Sequence, residues 1–153
     1  MPELPEVETT RKGIAAVMPN NKLQELIVHE SRMRWPIPAD MSAILKGKTV
    51  LACNRRGKYL LIKFEHGTQI VHLGMSGSLR RVALDDPLKK HDHVEWIFAD
   101  ARFLLHDPRR FGCVLWHPND AGPITEHKLL SKLGVEPFST EFTAEVLYQG
   151  LQT

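Results

Sequence analysis

The stretch KYLLIKFEHGTQIVHL, residues 58–73, decides the architecture. Residues 58–64 and 68–73 are rich in branched and aromatic side chains, and Glu65-His66-Gly67 stands between them. Two apolar runs of strand length on either side of a short, glycine-containing break predict a β-hairpin. Neither run is long enough for an ordinary helix, and the glycine would interrupt a helix drawn through both. The same signal recurs outward. Upstream, residues 23–29 and 49–54 read as strands. Downstream, 78–82 follows a loop, 93–98 and 102–105 flank Ala99-Asp100 as a second hairpin, and 114–116 is a last short strand. Many short strands separated by turns, with no helices alternating between them, predict a mainly β chain folded as an antiparallel β-sandwich or barrel, the sandwich being preferred.

Helical spacing occurs at the two ends. Val7, Arg11, Ile14, Ala15 and Met18 fall on one side of a helix over residues 5–18, which Pro19-Asn20-Asn21 would end. After His117-Pro118 the pattern changes again. Leu129, Leu130 and Leu133 suggest a short helix closed by Gly134, and Phe142, Val146 and Leu147 a second one. The expected division is a β-sandwich domain over residues 1–118 and a helical segment over 119–153.

The composition excludes several classes. Of 153 residues, 42% are apolar and 25% charged, the balance of a globular chain. No run is long enough to span a membrane and no basic start leads into an apolar stretch, so a cytoplasmic location is expected. Cys53 and Cys113 are the only cysteines, too few for a four-thiolate metal site. The net charge is only +2, but basic residues cluster at Arg55-Arg56-Gly57-Lys58, Arg80-Arg81, Lys89-Lys90 and Arg109-Arg110. Such clusters beside turns either face one phosphate track or are solvated loop ends.

Four stretches can carry chemistry. Removal of Met1 would leave Pro2 as a secondary α-amine, a class whose pKa of roughly 7.7–8.0 leaves much of it unprotonated near neutrality. Attack by that amine on an aldehyde-like carbon gives a cationic iminium, and nearby carboxylates at Glu3, Glu6 and Glu8 could move protons. The structural alternative is a helix start, where proline and acids are favoured anyway. In His72-Leu73-Gly74-Met75-Ser76-Gly77, glycines either present Met75 as an apolar wedge between bases or let it fill a core gap. In Asp107-Pro108-Arg109-Arg110-Phe111-Gly112, extended backbone would project Arg109 and Phe111 together, able to occupy a vacated base position. The alternative returns Phe111 to the core. Finally, His91 and His93, with Glu95, His72 or His106, could hold a metal. A phosphate contact by His91 and a buried His93 would serve equally well.

Taken together, PELPEVE, RRGKYL, HLGMSGSLR, KHDHV and DPRRFG occur in the order found in formamidopyrimidine-DNA glycosylases, and the chain resembles that family over nearly its whole length. The resemblance implies a base-excision repair enzyme, a bifunctional glycosylase and abasic-site lyase acting on 8-oxoguanine and formamidopyrimidines in damaged duplex DNA. It implies Pro2 as the nucleophile, Glu3 as the general acid, Glu6 as a supporting carboxylate, and Lys58 in β-elimination and phosphate contact. It further implies that Met75, Arg109 and Phe111 fill the gap left by a flipped nucleotide, and that His91 meets the DNA backbone. No cofactor or metal is expected in this chain. The family's zinc lies in a C-terminal helix–two-turn–helix and zinc-finger domain that the sequence lacks, so weak activity is expected of this half alone. A monomer is expected, or a dimer through apolar residues near 130–151. The competing readings are a non-catalytic DNA-binding module, an endonuclease VIII-type enzyme for oxidised pyrimidines, and a metal-dependent β-sandwich enzyme.

Overall fold

A computed structural model describes residues 4–123. In chain order it contains α1 (Leu4–Ala15), β1 (Glu25–Val28), α2 (Met41–Leu45), β2 (Val50–Arg56), β3 (Tyr59–Phe64), β4 (Gly67–His72), β5 (Ser78–Val82), β6 (Asp92–Ile97), β7 (Arg102–His106) and β8 (Cys113–Pro118), then one 3-10 turn at Asn119–Ala121. The strands form two four-stranded antiparallel sheets, in the orders β1-β6-β7-β5 and β2-β3-β4-β8. This is the expected antiparallel sandwich. The hairpin read from residues 58–73 is β3–β4, in register from Tyr59↔His72 to Phe64↔Gly67.

Alternation along each strand explains why the sheets stack. Leu60, Ile62 and Phe64 of β3 point to one side with Val71 of β4 and Val114 of β8, and meet Val94 and Trp96 of β6 and Phe103 and Leu105 of β7. A buried polar group beside this layer, Gln69, is satisfied. Gln69 accepts the Trp96 indole N–H at 2.8 Å and directs its own amide at the Met41 sulfur, 3.3 Å away. Leu61 and Ile70 form a smaller cluster with Tyr59 and Leu115 on the opposite face of their sheet.

Helix α1 packs against β2 and β5, an edge strand of each sheet, and sends Val7 and Ile14 into the core. It is shorter than its apolar spacing predicts. Met18 still donates to the Ile14 carbonyl at 2.8 Å and is fully buried, but Pro19 stops the winding and Asn20 turns the chain with φ of 69°. Helix α2 has no counterpart in the sequence reading. Its five residues are too few to display a period, although Met41 and Leu45, four apart, both reach the core. The helices expected around residues 129–134 and 142–147, the apolar region near 130–151, and thus nearly all of the expected second segment, lie outside the described residues. None of the described helices is long and apolar enough to cross a membrane.

Candidate functional site

The strand register gathers the sequence's separated motifs at one end of the sandwich. Arg56↔Tyr59, Tyr59↔His72 and His72↔Cys113 mark one end of the β2-β3-β4-β8 sheet. Ser78↔His106 and Asp92↔His106 mark the adjoining end of the other. The turn at Gly57-Lys58, the 73–77 loop, the 107–112 loop and His91 all emerge there. The segment after β1 joins them: His29 N–H donates to the His93 carbonyl at 2.7 Å and Arg34 N–H to the Gly112 carbonyl at 3.0 Å.

Met75 and Phe111 are 45% and 43% exposed, so neither fills the core. Phe111 and Arg109 do project together, with the guanidinium carbon 4.9 Å from the ring centroid, a cation–π contact that keeps the pair as a unit. The two loops interlock closely. Gly74 has φ of 67°, and a Cβ there would lie 2.5 Å from the Gly112 nitrogen and 2.7 Å from the Phe111 carbonyl carbon. Glycine is therefore required at position 74 by conformation and by space. Beside the loops an open cleft is lined by Arg32, Met33, Arg34, Arg109, Arg110 and Phe111. Glu30 holds Arg32 at 2.8 Å and stands 3.8 Å from Arg110, and these arginines bring its carboxyl down to about 2.

Lys58 sits in the β2–β3 turn, half-buried, near His72. Burial lowers the His72 pKa, and the Arg34 and Lys58 charges lower it further. His72 is thus a neighbour of both Lys58 and Arg34 that the motifs do not place there. Arg34 carried no recognisable spacing signal. From sequence, His72 offers itself only as a possible metal ligand. Glu6 stands exposed in the first turn of α1. Two residues on, Glu8 ties that helix to β2: its carboxylate meets Arg11 Nη2 at 2.7 Å and Arg55 Nε at 2.8 Å, and Arg55 also donates to the Gly57 carbonyl at 3.3 Å. Pro2 and Glu3 lie outside the described residues.

The metal reading of the histidines fails on geometry. His91 is in the turn before β6 with φ of 72°, not on the strand with His93, and the two rings are 6.0 Å apart. His93 donates from Nε2 to the Asp107 carbonyl at 2.7 Å, His106 bonds Asp92 at 2.8 Å, and Glu95 is held by His29 and Arg102 at 2.6 Å each. Among the described residues no three such side chains converge. His91 itself stays at the surface of this end, its pKa lowered by burial and by the nearby Lys90, His93, His106 and Arg110 charges.

A family model of the formamidopyrimidine-DNA glycosylase N-terminal domain matches residues 1–114. This chain belongs to that family. A formamidopyrimidine-DNA glycosylase from Bordetella petrii is 64% identical over 148 residues, covering 97% of this chain and 54% of that protein. One from Polynucleobacter necessarius is 52% identical, covering 97% of this chain and 55% of the relative. The chain thus spans about half the length of the curated relatives it matches. Among solved structures, the Lactococcus lactis formamidopyrimidine-DNA glycosylase non-covalently bound to abasic-site DNA superposes with a TM-score of 0.80 at 32% identity, over 98% of this chain and 57% of the other. The family's N-terminal domain is therefore the sandwich described above, and among the described residues no cysteine or histidine group is placed to hold a zinc ion. Cys53 and Cys113 are both buried, and burial pushes their thiols up, that of Cys113 to about 11.

Proposed function

We propose that this chain is the catalytic half of a base-excision repair glycosylase and abasic-site lyase for oxidised purines in duplex DNA. The observation that carries the reading is the meeting of Lys58, His91, Met75 and the Arg109–Phe111 pair at one end of the sandwich, two exposed apolar tips among cations. Solved relatives from Lactococcus lactis are complexes with abasic-site DNA and with DNA containing a formamidopyrimidine lesion, and relatives at 49–64% identity carry the formamidopyrimidine-DNA glycosylase name. Both favour the purine branch over the endonuclease VIII type.

A base inside a duplex hides its sugar carbon, and unstacking it costs a few kcal/mol. Met75 and Phe111 would offset that cost by entering the stack, with Arg109 facing the base left behind. Lys58, Arg34 and His91 would meet phosphates, which positions the strand without reading its sequence. The Pro2 nitrogen then attacks C1′ of the lesion, and the glycosidic bond breaks with its electron pair leaving on the base. Glu3 donates the proton that opens the sugar ring. Once the attacking nitrogen has lost its proton, the C1′–O4′ bond breaks with its electron pair leaving on O4′, which takes the Glu3 proton, and the nitrogen lone pair forms a C1′ iminium that acidifies C2′. Removal of a C2′ proton, with Lys58 as the nearby amine, expels the 3′ phosphate and cuts the strand. None of these steps uses a metal. Glu6 supports the proton traffic from the first turn of α1.

Borohydride reduction during incubation with abasic-site duplex tests this, with mass spectrometry of the protein's first residues. A covalent adduct mapped to a free Pro2 is the expected result. No adduct, with Met1 shown to be absent, refutes a working nucleophile in this chain and leaves a DNA-binding module.

A further inference from the structure

Asp107 is completely buried, yet no step above uses it. Its Oδ1 accepts the Ser76 hydroxyl at 2.9 Å and the Arg110 N–H at 3.2 Å, while Oδ2 accepts the Gly112 N–H at 3.0 Å. Its backbone reaches the third segment of the site: the carbonyl accepts from His93, and the N–H donates to the His91 carbonyl at 3.0 Å. The Arg109 N–H approaches the Ser76 oxygen at 3.4 Å. One acid thus joins the loop bearing Met75 to the loop bearing Arg109 and Phe111, and both to the turn bearing His91. Arg110 pays with a left-handed φ of 55°, which the bonds on either side of it hold in place.

We propose that Asp107 and Ser76 are positioning residues, a clasp that sets Met75 and the Arg109–Phe111 pair at a fixed spacing before DNA arrives. The inference rests on the void-filling reading of those loops. Two separate loops would each have to be ordered on binding, and that ordering would subtract from the energy available to open the stack. Joined through a buried carboxylate, they meet the duplex as one wedge. Met75 gains most from this. Its loop is tied to the neighbouring loop through the Ser76 hydroxyl, which donates to Asp107 and is approached by the Arg109 N–H.

The test uses this chain at low salt and two otherwise identical duplexes, one intact and one holding an abasic-site analogue opposite 2-aminopurine, whose fluorescence rises on unstacking. Ser76→Ala removes both Ser76 contacts between the loops, to Asp107 and from the Arg109 N–H, but leaves the Arg110 and Gly112 bonds to Asp107, and Ser76→Thr keeps a hydroxyl. Ser76→Ala is expected to reduce the preference for the abasic duplex about tenfold or more, the worth of one hydrogen bond to a carboxylate. The 2-aminopurine signal should fall with it. Affinity for intact duplex should change less than about twofold, since phosphate contacts remain, and Ser76→Thr should recover the preference. An unchanged preference in Ser76→Ala, beside a parent chain that shows one, overturns the clasp and leaves the functional reading standing. A parent chain without any preference overturns that reading and the clasp together. An equal loss on intact duplex, or no recovery with threonine, marks general loosening and also overturns it.

Discussion

Glu8→Gln isolates the link between α1 and the strand that carries the Lys58 turn. The Glu8 carboxylate takes the Arg11 Nε at 3.0 and 3.1 Å, Arg11 Nη2 at 2.7 Å and Arg55 Nε at 2.8 Å. The side chains of Glu8, Arg11 and Arg55 are 20%, 13% and 10% exposed. Exposed pairs contribute roughly 0.2–1 kcal/mol, and breaking a buried pair costs roughly 3–5 kcal/mol. With a fifth of Glu8 in water, the substitution falls between these limits, at about 2 kcal/mol near pH 7. For a chain of this size that corresponds to a melting temperature lower by about 4–8 °C. The pH dependence has a definite sign. Burial raises the Glu8 pKa, but the two arginines outweigh it and the folded value lies below the ordinary 4.5. The pair's contribution is therefore present above about pH 4.5 and fades as pH falls through the folded pKa. Thermal melts of the parent and Glu8→Gln chains at pH 7 and pH 3.5 should show a gap that narrows in acid. A gap under about 1 °C at pH 7, or one as wide at pH 3.5, refutes the reasoning.

Lys58→Ala should weaken binding to any duplex by a similar factor whatever its sequence, and reduce the slope of log affinity against log salt by about one, measured by fluorescence anisotropy across a salt series. An unchanged slope would remove Lys58 from the phosphate track. Cys53 and Cys113 should resist a disulfide-exchange reagent at pH 8 in the folded chain and both react in urea, because burial keeps each as a thiol. Rapid reaction of either thiol without denaturant would contradict its placement in β2 or β8.

The sandwich was legible because alternation and turn residues are local. Residues 58–73 declare a hairpin within sixteen positions, and the register follows from its short break. Helix α2 was not legible, since a single turn has no period to detect. The proposed wedge was half legible: the two-residue spacing of Arg109 and Phe111 showed that they can project together, but not that the loop bearing Met75 meets theirs. Asp107 could not be read at all. It sits in a motif that looks like a turn, and its partner Ser76 is 31 positions away. His91 and His93 misled in the opposite way, because alternation assumes a strand and the positive φ at His91 breaks it. Glu95, a possible metal ligand by sequence, is instead the shared acceptor of His29 and Arg102.

The order of strands in the two sheets also fixes when this end of the molecule can exist. Hairpins β2–β3–β4 and β6–β7 close between neighbours in the chain, whereas β1 has its strand partner in β6 and β8 docks on β4 across the whole of the other sheet's last three strands. Contacts that close long loops form late, after local hairpins have set the surfaces they join. On an emerging chain, β1 must wait for β6, and the 107–112 loop has no anchored far side until β8 has been made. By this ordering the end that gathers the Gly57-Lys58 turn and the 73–77 and 107–112 loops is expected among the last parts to assemble, so a growing chain would carry these loops unjoined until β8 is in place.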